Sequence, residues 1–260
     1  VCRRQRQMCI RDRYEMQKYA NRKGARVGLQ SASGDWKLLG PVKRPKNESS
    51  QRNGLGRLNC IAFHPTNPNI RFVGSPSGGI WKTGDGGGTW VDISSNLVRL
   101  GVSSIVVHHT TPNVIYIGTG DRDAGDAPGY GVWKSTDGGG SWVASNTGMG
   151  DLTVSEILMH PTNANILIAA TSQSKIFRSV DGGANWVQTG SPTSTIKDLA
   201  LNPNDPNVVY ATGQSCYRSS DNGQTWSPIN SGLPSKSHRM AIAVSKDEPN
   251  WVYVLAGDAN

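Results

Sequence analysis

The chain has 260 residues, enough to bury a sizeable core, and its modest 36% apolar content stands beside 31 Gly and 14 Pro, a balance that suits an all-β protein rich in turns. No stretch approaches the roughly 20 apolar residues that a bilayer-spanning helix needs, so no membrane span is expected. The formal charge of +8 lies wholly before residue 57, since residues 1–13 carry +4, 14–56 carry +6 and 57–260 carry −2; a body without a basic stripe excludes nucleic acid as partner.

At the N-terminus, Met8-Cys-Ile-Arg-Asp-Arg13 resembles the translation of a sequencing adapter, so residues 1–13 read as an assembly artefact and 14–34 as a linker. Residues 35–40, Asp35-Trp-Lys-Leu-Leu39 and the following Gly, look like a single strand that closes a sheet formed elsewhere. From residue 57 onward the chain repeats itself. Four octets recur: Thr83 to Trp90, Ser135 to Trp142, Ser179 to Trp186 and Ser219 to Trp226. Their Asp residues (Asp85, Asp137, Asp181, Asp221) are spaced by 52, 44 and 40 residues.

Each unit opens on an apolar strand: Cys60 to Phe63, Ser104 to Val107, Glu156 to Met159, Asp198 to Leu201. A turn rich in Pro and Asn follows, then a second strand. A third strand carries an apolar-aromatic-basic step (Ile80-Trp-Lys82, Val132-Trp-Lys134, Ile176-Phe-Arg178, Cys216-Tyr-Arg218), and the octet's closing Trp starts a fourth. Four short strands in a repeating unit of this length specify an all-β fold, a β-propeller of four-stranded blades. The blades are expected at about 57–97, 98–149, 150–192 and 193–234, with a partial fifth at 235–260; residues 35–260 thus read as an incomplete, truncated propeller.

Within each octet the Asp carboxylate suits an Asx-type turn, the Gly at 87, 139, 183 and 223 permits positive φ, and the Trp packs between blades with its N–H bonded at the rim. Asp85, Trp90, Asp137, Trp142, Asp181, Trp186, Asp221 and Trp226 are therefore assigned structural roles. His64, His160 and either His108 or His109 recur at the end of the first strand, where Asn202 stands in the fourth unit, and read as turn residues. Cys216 takes a slot that Ile and Val fill elsewhere and reads as a small buried hydrophobe; a disulfide with Cys60 is not expected.

Propeller connectivity puts the second-to-third loops on the face opposite the octets. Between strands two and three lie 4, 12, 4 and 2 residues in successive units, so the second unit carries an insertion, Gly120 to Gly131. Its Asp121, Asp123 and Asp126 offer oxygen ligands for a hard cation such as Ca²⁺, with Arg122 between them as a neutralising neighbour instead. Asp121 or Asp123 is alternatively a glycosidase acid, which needs a second carboxylate about 5–10 Å away; Glu156 and Asp198, near the channel, are candidates. Arg57, Asn59, Lys197 and Arg239 also open first strands and would line a polar channel mouth suited to an anionic or sugar ligand.

The octets resemble the Asp-box (BNR) repeat shared by sialidases, sortilin-type propellers and xyloglucanase-like glycoside hydrolases. Trp36-Lys-Leu-Leu-Gly-Pro41, Gly54-Leu-Gly-Arg-Leu-Asn59, Ser77-Gly-Gly-Ile-Trp-Lys82 and Thr119-Gly-Asp-Arg-Asp-Ala-Gly-Asp126 resemble secreted Bacteroidetes propellers with a sortilin-like domain. That resemblance implies an extracellular or cell-surface protein, often one that ends in a type IX sorting domain. Sialidase chemistry fits badly, because Phe177-Arg178 continues as Ser-Val and the chain has only four Glu. The expected function is a binding module for a glycan or peptide; the alternative is a xyloglucanase-like glycoside hydrolase.

Overall fold

The computed structural model describes residues 57–97, 101–123, 125, 127–190, 192–234 and 237–258. The expected artefact at 1–13, linker at 14–34, closing strand at 35–40 and the candidate ligand Asp126 lie outside these residues. The first sheet holds β1 (Cys60–Phe63), β2 (Arg71–Gly74), β3 (Ile80–Thr83) and β4 (Val91–Asp92). The second holds β5 (Val102–Val107), β6 (Ile115–Thr119), β7 (Val132–Ser135) and β8 (Val143–Ala144). The third holds β9 (Val154–Met159), β10 (Leu167–Thr171), β11 (Ile176–Ser179) and β12 (Val187–Gly190). The fourth holds β13 (Ile196–Leu201), β14 (Val209–Gly213), β15 (Cys216–Ser219) and β16 (Ser227–Pro228), and β17 (Ser237–Val244) pairs with β18 (Val252–Asp258).

Every sheet is an antiparallel meander in chain order. Strands β6, β10 and β14 are buried at every position, because a neighbouring sheet covers each face. The apolar side chains accordingly form four seams between sheets. Phe72, Val102, Ile105 and Trp142 fill the first seam. Tyr116, Val154, Ile157 and Trp186 fill the second. Ile168, Ile196 and Leu199 fill the third, and Tyr210 and Ile242 the fourth. Burying each such side chain contributes about 1.5–3 kcal/mol. The opening strands β1, β5, β9, β13 and β17 lie next to one another in succession. The chain is a β-propeller with four full blades and part of a fifth.

Each octet closes by one hydrogen-bond scheme. In the second blade the Ser135 hydroxyl donates to Asp137 Oδ1 (2.8 Å) and accepts from Gly139 N (2.9 Å), while Ser141 N and Oγ donate to the two carboxylate oxygens. Thr83, Ser179 and Ser219 do the same for Asp85, Asp181 and Asp221. The backbone N–H of Thr89, ahead of the two hydroxyls, holds the Asp85 carboxyl below the usual carboxylate range. The backbone there requires two successive left-handed residues, and the fourth blade meets this with Asn222 (φ 59°) before Gly223, Asn being the non-glycine that tolerates it best. Ser135→Ala is expected to cost about 1–3 kcal/mol, since Gly139 N and Asp137 both lose a partner; chemical denaturation measures it.

The octet also bonds to the turn between its blade's first two strands: Gly86, Gly138, Gly182 and Asn222 N–H donate to the carbonyls of Asn69, Asn113, Asn165 and Asn207. In those turns Nδ1 of His64, His108 and His160 each accepts two backbone N–H groups, and Asn202 Oδ1 does so in the fourth blade. His108, not His109, is therefore the turn residue. Cys60 and Cys216 are free thiols, and Cys216 is buried; burial, and then the Glu156 charge, push the Cys60 thiol up to about 12.

Three details depart from the sequence expectation. The fourth strands begin one residue after the closing Trp, because that indole turns inward across the seam. Trp142 Nε1 donates to Ile93 O and Trp186 Nε1 to Ser145 O, both in the preceding blade. Trp226 Nε1 and Thr189 Oγ1 are instead buried without a partner, beside the register shift between Ile176 and Phe177, and Trp90 is partly exposed. Finally, β5, β9 and β13 start two residues early. A bulge in each leaves one residue unpaired at the channel end: Ser103, Ser155 and Lys197.

Candidate functional site

The insertion Gly120 to Gly131 is held against the third blade by backbone contacts. Thr119 Oγ1 donates to Gly131 O and accepts from Tyr130 N, Gly129 N donates to Thr153 Oγ1, and Gly131 N donates to Leu152 O. A Cβ on Gly129 would lie 2.3 Å from Leu152 O, so only glycine allows this approach. The bulged Ser103 secures the loop's other end: its hydroxyl donates to Gly120 O (2.6 Å) and accepts from Arg122 N (3.1 Å).

Thus anchored, Asp121-Arg122-Asp123 reaches three other strands or their approaches. Arg57 Nη2 donates to Asp121 Oδ2 at 2.5 Å, and the Asp121 side chain is fully buried. Arg122 Nη1 donates to Glu156 Oε2 (2.7 Å) and to Ser155 O (3.0 Å), while its Nη2 donates to Asn59 O (3.2 Å). Arg239 Nη1 donates to Asp123 Oδ1 (2.7 Å). Glu156 also accepts from Ser104 Oγ, and Asp198 accepts from Ile242 N. The structure thus gathers Arg57, Asn59, Asp121, Arg122, Asp123 and Arg239 where the opening strands meet. Lys197 feels the same charges: burial lowers its pKa, and Asp123 is the largest opposing influence.

The arrangement alternates in sign, so each of the two described loop acids faces a guanidinium. Ca²⁺ at Asp121 and Asp123 would have to share these carboxylates with Arg57 and Arg239. Among the described residues no group of three His, Cys, Asp or Glu is placed to hold a metal ion. As a catalyst Asp121 is out of contact with solvent; Asp123 is about a quarter exposed. The side chains of Arg57 and Arg239 are 43% and 49% exposed. Buried polar atoms without a hydrogen-bond partner lie around Arg122: the Asn59 amide, Ser155 Oγ and Arg122 Nε, the last 3.9 Å from Asp123 Oδ2. Glu156 stands apart in its titration. Burial raises its carboxyl to about 7, against the opposing pull of Arg122.

Sequence reasoning missed Ser103, Ser104 and Ser155. The only available signal was the second-blade Ser pair before Ile105, of which Ser104 reads simply as the opening of a strand. Among the described residues no helix is long and apolar enough to cross a membrane.

The Sortilin-Vps10 family model (sortilin, neurotensin receptor 3) matches residues 130–232. No curated protein matches the chain. Among solved structures, an ancestral GH74 enzyme is similar at 23% identity and a TM-score of 0.68, over 84% of this chain and 29% of that one. The Niastella koreensis GH74 enzyme is similar at 18% identity and 0.61, over 76% of this chain and 35% of its own. YCF48 bound to D1 peptide is similar at 17% identity and 0.52, over 83% and 64%. The chain therefore spans about a third of the GH74 enzymes' length, and at these identities the likeness is one of fold.

Proposed function

We propose that this sortilin-like β-propeller is an extracellular or cell-surface binding module whose ligand, a glycan or a peptide, sits at the channel mouth beside Asp121 to Asp123. The observation that carries the reading is the pairing of both described loop acids with arginines. It leaves Asp121 unable to touch a substrate and turns the outer sides of Arg57 and Arg239 toward solvent. Exposed arginine side chains supply directional donors for carboxylate, sulfate or hydroxyl oxygens. Similar folds are seen in a GH74 enzyme and in YCF48 bound to D1 peptide.

A second reading, glycoside hydrolysis, has one observation in its favour: Glu156, with a pKa raised to about 7, would hold a proton for a leaving group near neutral pH. One experiment separates the two. The chain is screened against β-glucans, sialosides and a peptide library for both binding and turnover. Binding without turnover, weakened at least 10-fold by Arg239→Ala, is the expected result. Hydrolysis that disappears in Glu156→Gln, Asp121→Asn or Asp123→Asn would overturn it.

A further inference from the structure

In the turns that follow β5 and β9, the acceptor at the centre is a titratable nitrogen. Thr110 and Thr111 N–H donate to His108 Nδ1 at 3.3 and 3.1 Å, and Thr162 and Asn163 N–H donate to His160 Nδ1 at the same distances. A backbone N–H only donates, so Nδ1 is bare and each ring is neutral, with its proton on Nε2. The fourth blade closes the same turn with Asn202 Oδ1, which accepts from Asn204 N (3.0 Å) and Asp205 N (3.2 Å). An amide oxygen stays an acceptor at every physiological pH.

The groups around the two rings all disfavour a further proton. His109, its ring centroid 5.4 Å from that of His108, acts on both; Lys134 of β7 acts on His108 and Arg178 of β11 on His160. Burial first, and then these neighbours, lower both histidines from their ordinary 6.5. The same turns hold the octets: Asn113 O accepts from Gly138 N (2.8 Å) and Asn165 O from Gly182 N (3.0 Å). Gly182 O in turn receives Lys134 Nζ and the Tyr116 hydroxyl from the second blade.

We propose that His108 and His160 are acid-released catches. A proton added at Nδ1 replaces an acceptor by a donor that faces two N–H groups, so the turn opens and loosens the octet of its own blade. The fourth blade, pinned by Asn202, stays closed. Because the folded rings bind protons less readily than opened ones, the turns are secure well above pH 6.5 and lose stability as pH falls below it. Other groups do not imitate this response. Glu156, raised to about 7, contributes more as pH falls. Hydrogen bonds from the Ser141 hydroxyl and the Asn185 backbone N–H keep Asp137 and Asp181 below the usual carboxylate range.

Nuclear magnetic resonance of the 260-residue chain tests the proposal. Imidazole nitrogen shifts should show bare Nδ1 in both rings above neutral pH, with titration midpoints below 6.5. Amide exchange at Thr110, Thr111, Thr162 and Asn163, corrected for its intrinsic pH dependence, should rise several-fold from about pH 7.5 to 5.5. Linkage sets a ceiling of about 10-fold one pH unit below 6.5. Asn204 and Asp205 should not change. The double variant His108→Asn, His160→Asn, which copies the fourth blade, should lose the response in both turns. If that variant does not fold, the imidazole titrations and the comparison with the fourth blade still decide the matter. A proton on Nδ1 above neutral pH, midpoints at or above 6.5, an equal rise at Asn204 and Asp205, or a response that survives in the variant would each overturn the proposal.

Discussion

Arg122→Met is expected to lower the unfolding free energy by about 3–5 kcal/mol at pH 8, a fall in Tm on the order of 10 °C for a chain of this size. The side chain is only 15% exposed and joins the second blade's loop to the first and third blades through Asn59 O, Ser155 O and Glu156. Methionine keeps much of the volume and removes the charge, so the chief cost is the stranded carboxylate of Glu156. The pH dependence identifies that cause. Glu156 has an ordinary value of 4.5 and about 7 in the fold. Between these the folded chain binds more protons than the unfolded one, so this group's contribution weakens as pH rises from about 4.5 through 7. Without Arg122 the carboxyl rises further, and the gap between variant and parent widens from pH 5 to pH 8. Adding Glu156→Gln should close most of that gap at pH 8. Equal destabilisation of the single and double variants, or a gap that does not change with pH, would count against the assignment.

Gly129→Ala should cost about 3 kcal/mol or more and abolish ligand binding. Its new methyl would lie 2.3 Å from Leu152 O and from the Thr153 Cα, both backbone atoms, and overpacking against backbone has no rotamer to relieve it. The loop must lift, taking Asp121 and Asp123 away from Arg57 and Arg239. Gly125→Ala in the same loop is the contrast: nothing lies within 4 Å of its Cβ. Its φ of 72° alone should cost about 1 kcal/mol. Thermal melts with binding isotherms measure both, and equal effects from the two substitutions would argue against a seated loop.

The propeller was legible because its information is local. An octet such as Ser135 to Trp142 contains nearly every donor and acceptor that closes it, and the Pro/Asn turn contains the N–H groups that His160 accepts. The site was only half legible. The repeat spacing pointed to Gly120 to Gly131, and the opening-strand positions pointed to Arg57, Asn59 and Arg239. Which charge would meet which was beyond reach: Arg57 and Asp121 are 64 residues apart, and Arg239 and Asp123 are 116 apart. The bulges at Ser103 and Ser155 left no mark either, since a serine at a strand end reads as the end of the strand. Those bulges place the hydroxyl and carbonyl that anchor Arg122.

The basic residue of the third strand in each of the first three blades has a role beyond its own blade. Lys82 and Lys134 Nζ donate to the carbonyls of Gly138 and Gly182, and Arg178 Nε to that of Asn222, always in the octet of the following blade. The array is therefore polar in the sense that a zipper is: the octets of the second, third and fourth blades are each latched by the blade before. Disturbance passes along such an array as a nearest-neighbour coupling with a direction, so damage to one octet releases its predecessor's cation before it reaches any other blade.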